Sequence, residues 1–278
     1  MVTTTTTTTT TATIMAPATI RVIVMSTATR IRIMIPTTPD TVTATTTTTT
    51  TAAAEPDRAL LPLMLWLSPA FPVGSFAYSH GLEWAVEAGD VRDARSLGGW
   101  LVDLLTFGAP RVDAILFAAA FRATEVGDWP TLLETNALAV ALAASAERRL
   151  ETTAQGVAFA AAARAAFDCE PLRALAREER IAYPAAVAAA AAGHGLPVEL
   201  SLQAFVLALV ANLVSAVVRL GPIGQTEGQK ILATLLPRIR ALAREAARST
   251  LSDLGCCAFR SDIAAMRHET QYSRLFRS

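Results

Sequence analysis

The chain has 278 residues with 24 basic and 24 acidic side chains, a formal charge of zero, and three cysteines. That balance gives no concentrated basic face and so argues against general nucleic-acid binding. Cys169, Cys256 and Cys257 are odd in number and lack Cys-x-x-Cys spacing, which argues against a disulfide framework and for a reducing compartment.

The composition changes near Glu55. Of the first 54 residues 24 are Thr, in runs at 3–11 and 45–51, and Asp40 is the only acid. Polar repeats of this kind bury too little apolar surface to offset the entropy of ordering, so 1–54 is expected to be disordered and outside the fold. Within it, 20–35 has a partly alternating apolar pattern that could pair as a marginal strand. The Thr/Arg-rich composition also suits an organelle transit peptide, but a clear amphipathic Arg-rich helix is missing, and no basic region leads into an apolar core as in a secretory signal. A start site upstream of the real one is the plainest explanation. Three basic residues and one acid lie in this stretch, which leaves 21 against 23 in 55–278.

Residues 55–278 are enough for one domain with a substantial core. Nearly every segment after Ser79 reads as helix punctuated by Gly and Pro, so the expected fold is all-α: a single bundle of roughly ten helices. The predicted pieces are 58–67, 81–88, 94–107, 111–125, 130–143, 148–166, 172–177, 184–192, 197–220, 222–236, 237–251 and 261–266. Pro184, Pro197 and Pro222 suit a first helical position, where a missing amide proton costs little. Gly195 and Gly221 sit where a left-handed cap ends the preceding helix. The uncharged stretch 200–218 is long enough for a membrane span, but Gln203, Asn212 and Ser215 interrupt it, and Glu199 and Arg219 bound it. It reads as a buried central helix.

Three stretches carry the remaining information. The first is a Pro/Gly-shaped loop feeding a helix, Pro72-Val-Gly-Ser-Phe-Ala-Tyr-Ser-His-Gly-Leu-Glu83, with Ser79 as a plausible N-cap. Gly74 is isolated and no Lys-Ser/Thr pair follows, so this is not a phosphate loop. His80 and Glu83 are close enough in sequence to serve as base and orienter, but that spacing is commonplace, and no Gly-x-Ser-x-Gly elbow surrounds Ser75. The second is Asn212-Leu-Val-Ser-Ala-Val-Val-Arg-Leu-Gly-Pro-Ile-Gly-Gln-Thr-Glu-Gly-Gln229. There Arg219 complements a helix C-terminus, and Gln225 and Gln229 share a face, which is equally the pattern of a cap and a polar stripe. A further run, Ser145 to Gly156, spaces Glu147 and Glu151 on one face.

The third is 262–278, where Tyr272, Leu275 and Phe276 offer apolar surface and Arg267, Arg274 and Arg277 offer forked donors. By composition it is either a docking peptide or a closing helix packed on its own core. His80, His194 and His268 are scattered, and the vicinal pair Cys256–Cys257 has no second donor pair, so no metal site and no catalytic constellation is expected.

Ala264-Ala-Met-Arg-His-Glu-Thr-Gln-Tyr-Ser-Arg-Leu-Phe-Arg-Ser278, the Pro-x-Gly-x-Phe/Tyr-x-x-Ser-x-Gly-Leu-Glu pattern at 72–83 and the Gly-Gln-x-x-Gly-Gln arrangement at 224–229 together resemble the UreF-type urease accessory proteins. The resemblance covers 58–278. It implies a cytoplasmic all-α scaffold, homodimeric and free of cofactors, with no chemistry of its own, which takes part in nickel insertion into apo-urease. Its partners would be a UreD/UreH-type accessory protein and a UreG-type GTPase, with neither nucleic acid nor membrane. The resemblance favours the docking reading of the tail. Tyr272, Arg274, Leu275 and Phe276 are then expected to dock on the UreD/UreH-type partner, with Phe76 and Tyr78 on the same or an adjoining surface, Arg267 as a further partner-binding residue, and Arg219, Gln225 and Gln229 on the GTPase-facing side. The competing reading is a helical regulator of a different metal-delivery GTPase.

Overall fold

The computed structural model describes residues 56–278, with side chains from Leu60 onward, and separately a two-residue antiparallel pairing of Thr8–Thr9 with Thr45–Thr46. The expectations of disorder in 1–54 and of a marginal strand at 20–35 lie outside the described residues.

Eleven α-helices follow in the described body. They are α1 (Pro56–Trp66), α2 (Leu82–Glu87), α3 (Ala94–Phe107), α4 (Ala109–Glu125), α5 (Trp129–Ala141) and α6 (Ala146–Ala166). After these come α7 (Glu170–Leu175), α8 (Tyr183–Gly193), α9 (Val198–Leu220), α10 (Gln225–Arg248) and α11 (Phe259–His268). Local chemistry sets several starts. Asp93 accepts from Ser96 N–H at 2.8 Å ahead of α3, Asp128 from Thr131 N–H at 3.1 Å ahead of α5, and Ser145 from Arg148 N–H at 3.1 Å ahead of α6. Each satisfies an amide that the helix itself leaves unpaired. Gly195 and Gly221 adopt φ of 66° and 97°, as expected for left-handed caps.

The centre of the body is α4 against α8, flanked by α5, α6 and α9. Helix α8 is Tyr-Pro-Ala-Ala-Val followed by five alanines and a glycine, and Pro184 through Ala191 are all buried. With methyl side chains on every face it has no polar side to show water, and it can lie close to all its neighbours. Gly156 on α6 makes one such approach possible: a Cβ there would stand 1.9 Å from the Ile181 carbonyl oxygen.

Two sequence expectations change. The predicted helices at 222–236 and 237–251 are one helix, α10, with Pro237 inside it. Proline removes one helical hydrogen bond and crowds the carbonyl four residues back. Both Pro237 and Ala233 are exposed, so the orphaned carbonyl lies on the solvent side while Ile231, Leu235, Ile239 and Leu242 keep the buried ridge continuous. Helix α9 is also less central than its composition suggests. Its most apolar window is 50% buried, against 72% for the window in Ala94–Glu125. Both stretches are long and apolar enough to cross a membrane by length and composition only. Leu202, Phe205, Val210, Leu213 and Val217 face the core, and Leu200, Gln203, Ala204 and Leu207 are only half-buried.

Candidate interaction site

The end of the chain folds back on the body. After α11 the segment 274–278 lies beside the loop before α2 and bends at Leu275 and Phe276, with Leu275 and Arg277 exposed and Phe276 and Ser278 buried. Arg277 N–H donates to the Ala77 carbonyl at 2.8 Å, and Ser79 N–H to the Ser278 carbonyl at 2.5 Å. The Ser79 hydroxyl also donates to that carbonyl. Ser79 keeps part of its expected capping role, since its oxygen accepts from Glu83 N–H at 3.3 Å, but the N-cap position belongs to Gly81. His80 and Gly81 both have left-handed backbone, with φ of 55° and 75°. At Gly81 this is required twice over, because a Cβ would stand 2.5 Å from Ala265 N in α11.

Beneath the tail is a cluster of charged side chains drawn from α2, α4, α6 and α11. Glu83 accepts at Oε1 from Leu275 N–H (2.6 Å) and at Oε2 from Phe276 N–H (2.9 Å). His268, fully buried, reaches Glu147 through Nδ1 (2.6 Å) and Glu83 through Nε2 (3.1 Å). Glu147 also takes Arg274 at 2.7 Å. One helical turn on, Glu151 holds Arg148, accepts from Gln155 at 3.0 Å and from the Ser278 hydroxyl at 2.9 Å, and lies 2.7 Å from His80 Nε2. The Glu147/Glu151 face read from the sequence is therefore turned inward. Fully buried charges persist only when paired in this way.

The electrostatics follow from the packing. Burial by itself would raise the Glu151 carboxyl, but Arg148 and His80 beside it outweigh that and bring it down to about 2. Burial and the Arg148 charge lower His80, against the pull of Glu151, so its ring is held neutral. Its Nε2 is 2.7 Å from both Arg148 Nη1 and Glu151 Oε1, and can accept from the first or donate to the second, one at a time. Asp113 on α4 has Arg148 as its ionic neighbour at 3.9 Å, too far to offset burial, and is pushed up to about 6. Asp113, His80, Arg148 and Thr152 line two adjoining cavities of about 90 and 200 Å³.

This arrangement grips a peptide. His80 and Glu83, considered as base and orienter, serve different partners: His80 turns to α6 and Glu83 to the tail. The two carboxylates around His268 approach opposite ring nitrogens and so do not converge on one point. Cys256 lines the smaller cavity, whereas Cys257 lines a pocket with Trp100, Phe107 and Arg260.

The residues singled out for partner binding divide in two. Phe76, Arg267, Tyr272, Arg274, Leu275, Gln225 and Gln229 are exposed, Tyr272 completely. Tyr78 and Phe276 are not: at 3% and 4% exposure their side chains belong to the chain's own packing. Arg219, at the end of α9, lies with its guanidinium 4.5 Å from the centre of the Phe276 ring, a cation–π contact. The self-packed reading holds for Phe276, whereas Tyr272, Arg274 and Leu275 stay exposed. Sequence reasoning missed the carboxylate cluster as a unit, although the Glu147/Glu151 spacing was a visible signal of it.

The fold and site together define an all-helical protein whose end segment is strapped to its own body. The UreF family profile matches residues 91–236. A urease accessory protein UreF of Xanthobacter autotrophicus is 59% identical over 222 residues, covering 79% of this chain and 91% of the relative. Proteins of the same name from Azorhizobium caulinodans and Methylobacterium radiotolerans are 52% and 53% identical over 220 residues, covering 78% of this chain and 95% and 96% of the relatives. The chain belongs to the UreF family.

Proposed function

We propose that this chain is a urease maturation scaffold: it bridges a UreD/UreH-type accessory protein and a UreG-type GTPase and so promotes nickel insertion into apo-urease. The observation that carries this is the family membership, with relatives named urease accessory protein UreF. The strap supports it further, because it holds Tyr272 and Leu275 outward at the end of a buried charge cluster while Phe276 anchors it. A scaffold of this kind acts through differential affinity for the nucleotide states of the GTPase, biasing when metal is released. The chain supplies binding energy, and the chemistry belongs to its partners.

Homodimer formation in the cytoplasm is part of the same proposal. Leu60, Leu61, Met64 and Leu65 on α1 are exposed, and Leu60 and Met64, with the half-buried side of α9 and Leu236 of α10, border an apolar groove of about 440 Å³. Contiguous apolar surface of this sort is what a self-association face offers.

The test is the nickel content and specific activity of urease purified from cells in which 55–278 has been deleted, beside wild type at ordinary nickel supply. Urease protein that is intact but nickel-poor and inactive is the expected result. Fully metallated, active urease would overturn the proposal and turn attention to a different metal-delivery GTPase.

A further inference from the structure

Helix α11 is joined to α2 and α6 through one ring. His268 has no exposed surface, and its two nitrogens meet two carboxylates, Nδ1 at 2.6 Å from Glu147 Oε2 and Nε2 at 3.1 Å from Glu83 Oε2. An ionised carboxylate only accepts hydrogen bonds, and a neutral imidazole has one N–H and one lone pair, so it serves one of these oxygens and repels the other. Both contacts are made by the imidazolium, which carries a proton on each nitrogen. A proton on either carboxyl instead is opposed by the remaining contacts of those groups. Glu83 takes the N–H groups of Leu275 and Phe276, and Glu147 takes the Arg274 guanidinium at 2.7 Å. Donors gathered in this way suit ionised oxygens.

The charges lead the same way. The groups that face the ring are Glu83 from α2, Glu147 from α6 and, beside Glu147, Arg274 from the end segment; with the imidazolium they sum to zero. The next ionic groups, His80, Arg148 and Glu151, are paired among themselves. Glu87 of α2 accepts from Gln271, and Glu269 at the end of α11 accepts from the Ala146 N–H, so neither answers the ring. Loss of one ring proton leaves two carboxylates against one guanidinium, and turns one of the two contacts into a repulsion away from water. We propose that His268 is a pH-sensitive pin: doubly protonated, it holds α11 against α2 and α6, and on alkalinisation it gives up one proton and frees the helix. For its consequence this inference rests on the reading of the chain as a urease maturation scaffold. Hydrolysis of urea yields ammonia, which takes the ring proton as ammonium, so the product of the finished enzyme loosens the scaffold that helps to make it.

The experiment separates the pin from that consequence. The chain has three histidines, so ring nitrogen-15 spectra of the full chain labelled at histidine resolve His268. At about pH 6 both its nitrogens should carry protons, and by about pH 9 one should have lost its proton. Over the same range the protection of the Ala264 and Ala265 amides, taken relative to an unstructured chain at each pH, should fall at least about tenfold, with α8 unaltered. The fall should persist in Asp113→Asn, which removes a second buried group that titrates, and be absent from His268→Gln, whose α11 should be loose throughout. A ring singly protonated at about pH 6, or one that keeps both protons to about pH 9, overturns the inference, and so does α11 protection that does not follow the ring. Activation of apo-urease is then compared for wild type and His268→Gln in otherwise identical mixtures, so that the pH response of the other components cancels. The wild type should lead about tenfold at about pH 6.5 and be level at about pH 8.5; a constant ratio overturns the feedback. If neither chain activates urease at any pH, the scaffold reading fails instead, and the spectra and exchange still decide the pin. Should His268→Gln not fold, the wild-type and Asp113→Asn titrations decide it.

Discussion

The α4–α8 centre and the cluster beneath the tail are both buried, and they hold the molecule together by opposite means. Around α8 the side chains are methyl groups, and the energy comes from close approach: removing space is the only way to damage it. Around Glu83, Glu147 and Glu151 the side chains are charged, and removing one partner leaves another without its counter-charge. The first kind of contact is non-directional and cannot be undone piecemeal. The second is directional, and each bond names the group it needs.

Breaking each region sharpens the contrast. The largest effect is expected from Gly156→Ala, whose new methyl group runs into the Ile181 carbonyl; a loss of about 4 kcal/mol or more by denaturant titration is the expected outcome, since backbone has to move. Arg148→Ala should cost about 3 kcal/mol by the same measurement, because it strands Glu151 at 2% exposure.

Asp113→Asn should do the reverse. The Asp113 carboxyl is raised from 3.8 to about 6 in the fold, so the folded chain holds its proton more tightly than the unfolded one, and stability falls as pH rises through that window. Asparagine removes that loss: a gain of about 2 kcal/mol is expected at pH 8 and none at pH 4, measured by denaturant titration at both. Glu151 has the opposite sign. Lowered from 4.5 to about 2, it contributes stability that is complete above the upper value and lost as pH falls through the lower one. Acid unfolding of the wild type should therefore steepen below pH 4.5.

The smallest effect on stability is expected from Arg274→Ala. Its side chain is 41% exposed, and pairs of this kind contribute about 1 kcal/mol at most. The same substitution should weaken the complex with the UreD/UreH-type protein, and an unchanged complex in a pull-down would remove Arg274 from the docking surface.

How far the sequence discloses all this depends on the range of the interaction. Helix starts at Asp93, Asp128 and Ser145, and the left-handed turns at Gly195 and Gly221, are decided within four residues and are legible. Pro237 misleads because its local penalty is real, yet the ridge from Ile231 to Leu242 packs through it. Helix α9 misleads in the other direction: a lack of charge says nothing about how much of a helix its neighbours cover. The cluster under the tail is the least legible part. Glu83 meets residues 192 and 193 positions further along, and no spacing pattern encodes that. Sequence could identify the aromatic and arginine content of the tail but not that Phe276 is buried while Tyr272 is exposed, because that follows from contacts with residues far away in the chain.

The Arg219–Phe276 contact ties the far end of α9 to the strap through one guanidinium. The same side chain stands next to the turn that leads to Gln225 and Gln229, so it lies at the border of two surfaces and has only one charge to offer. A pull on Arg219 from the turn would therefore be felt at the Phe276 ring on the other side of its guanidinium.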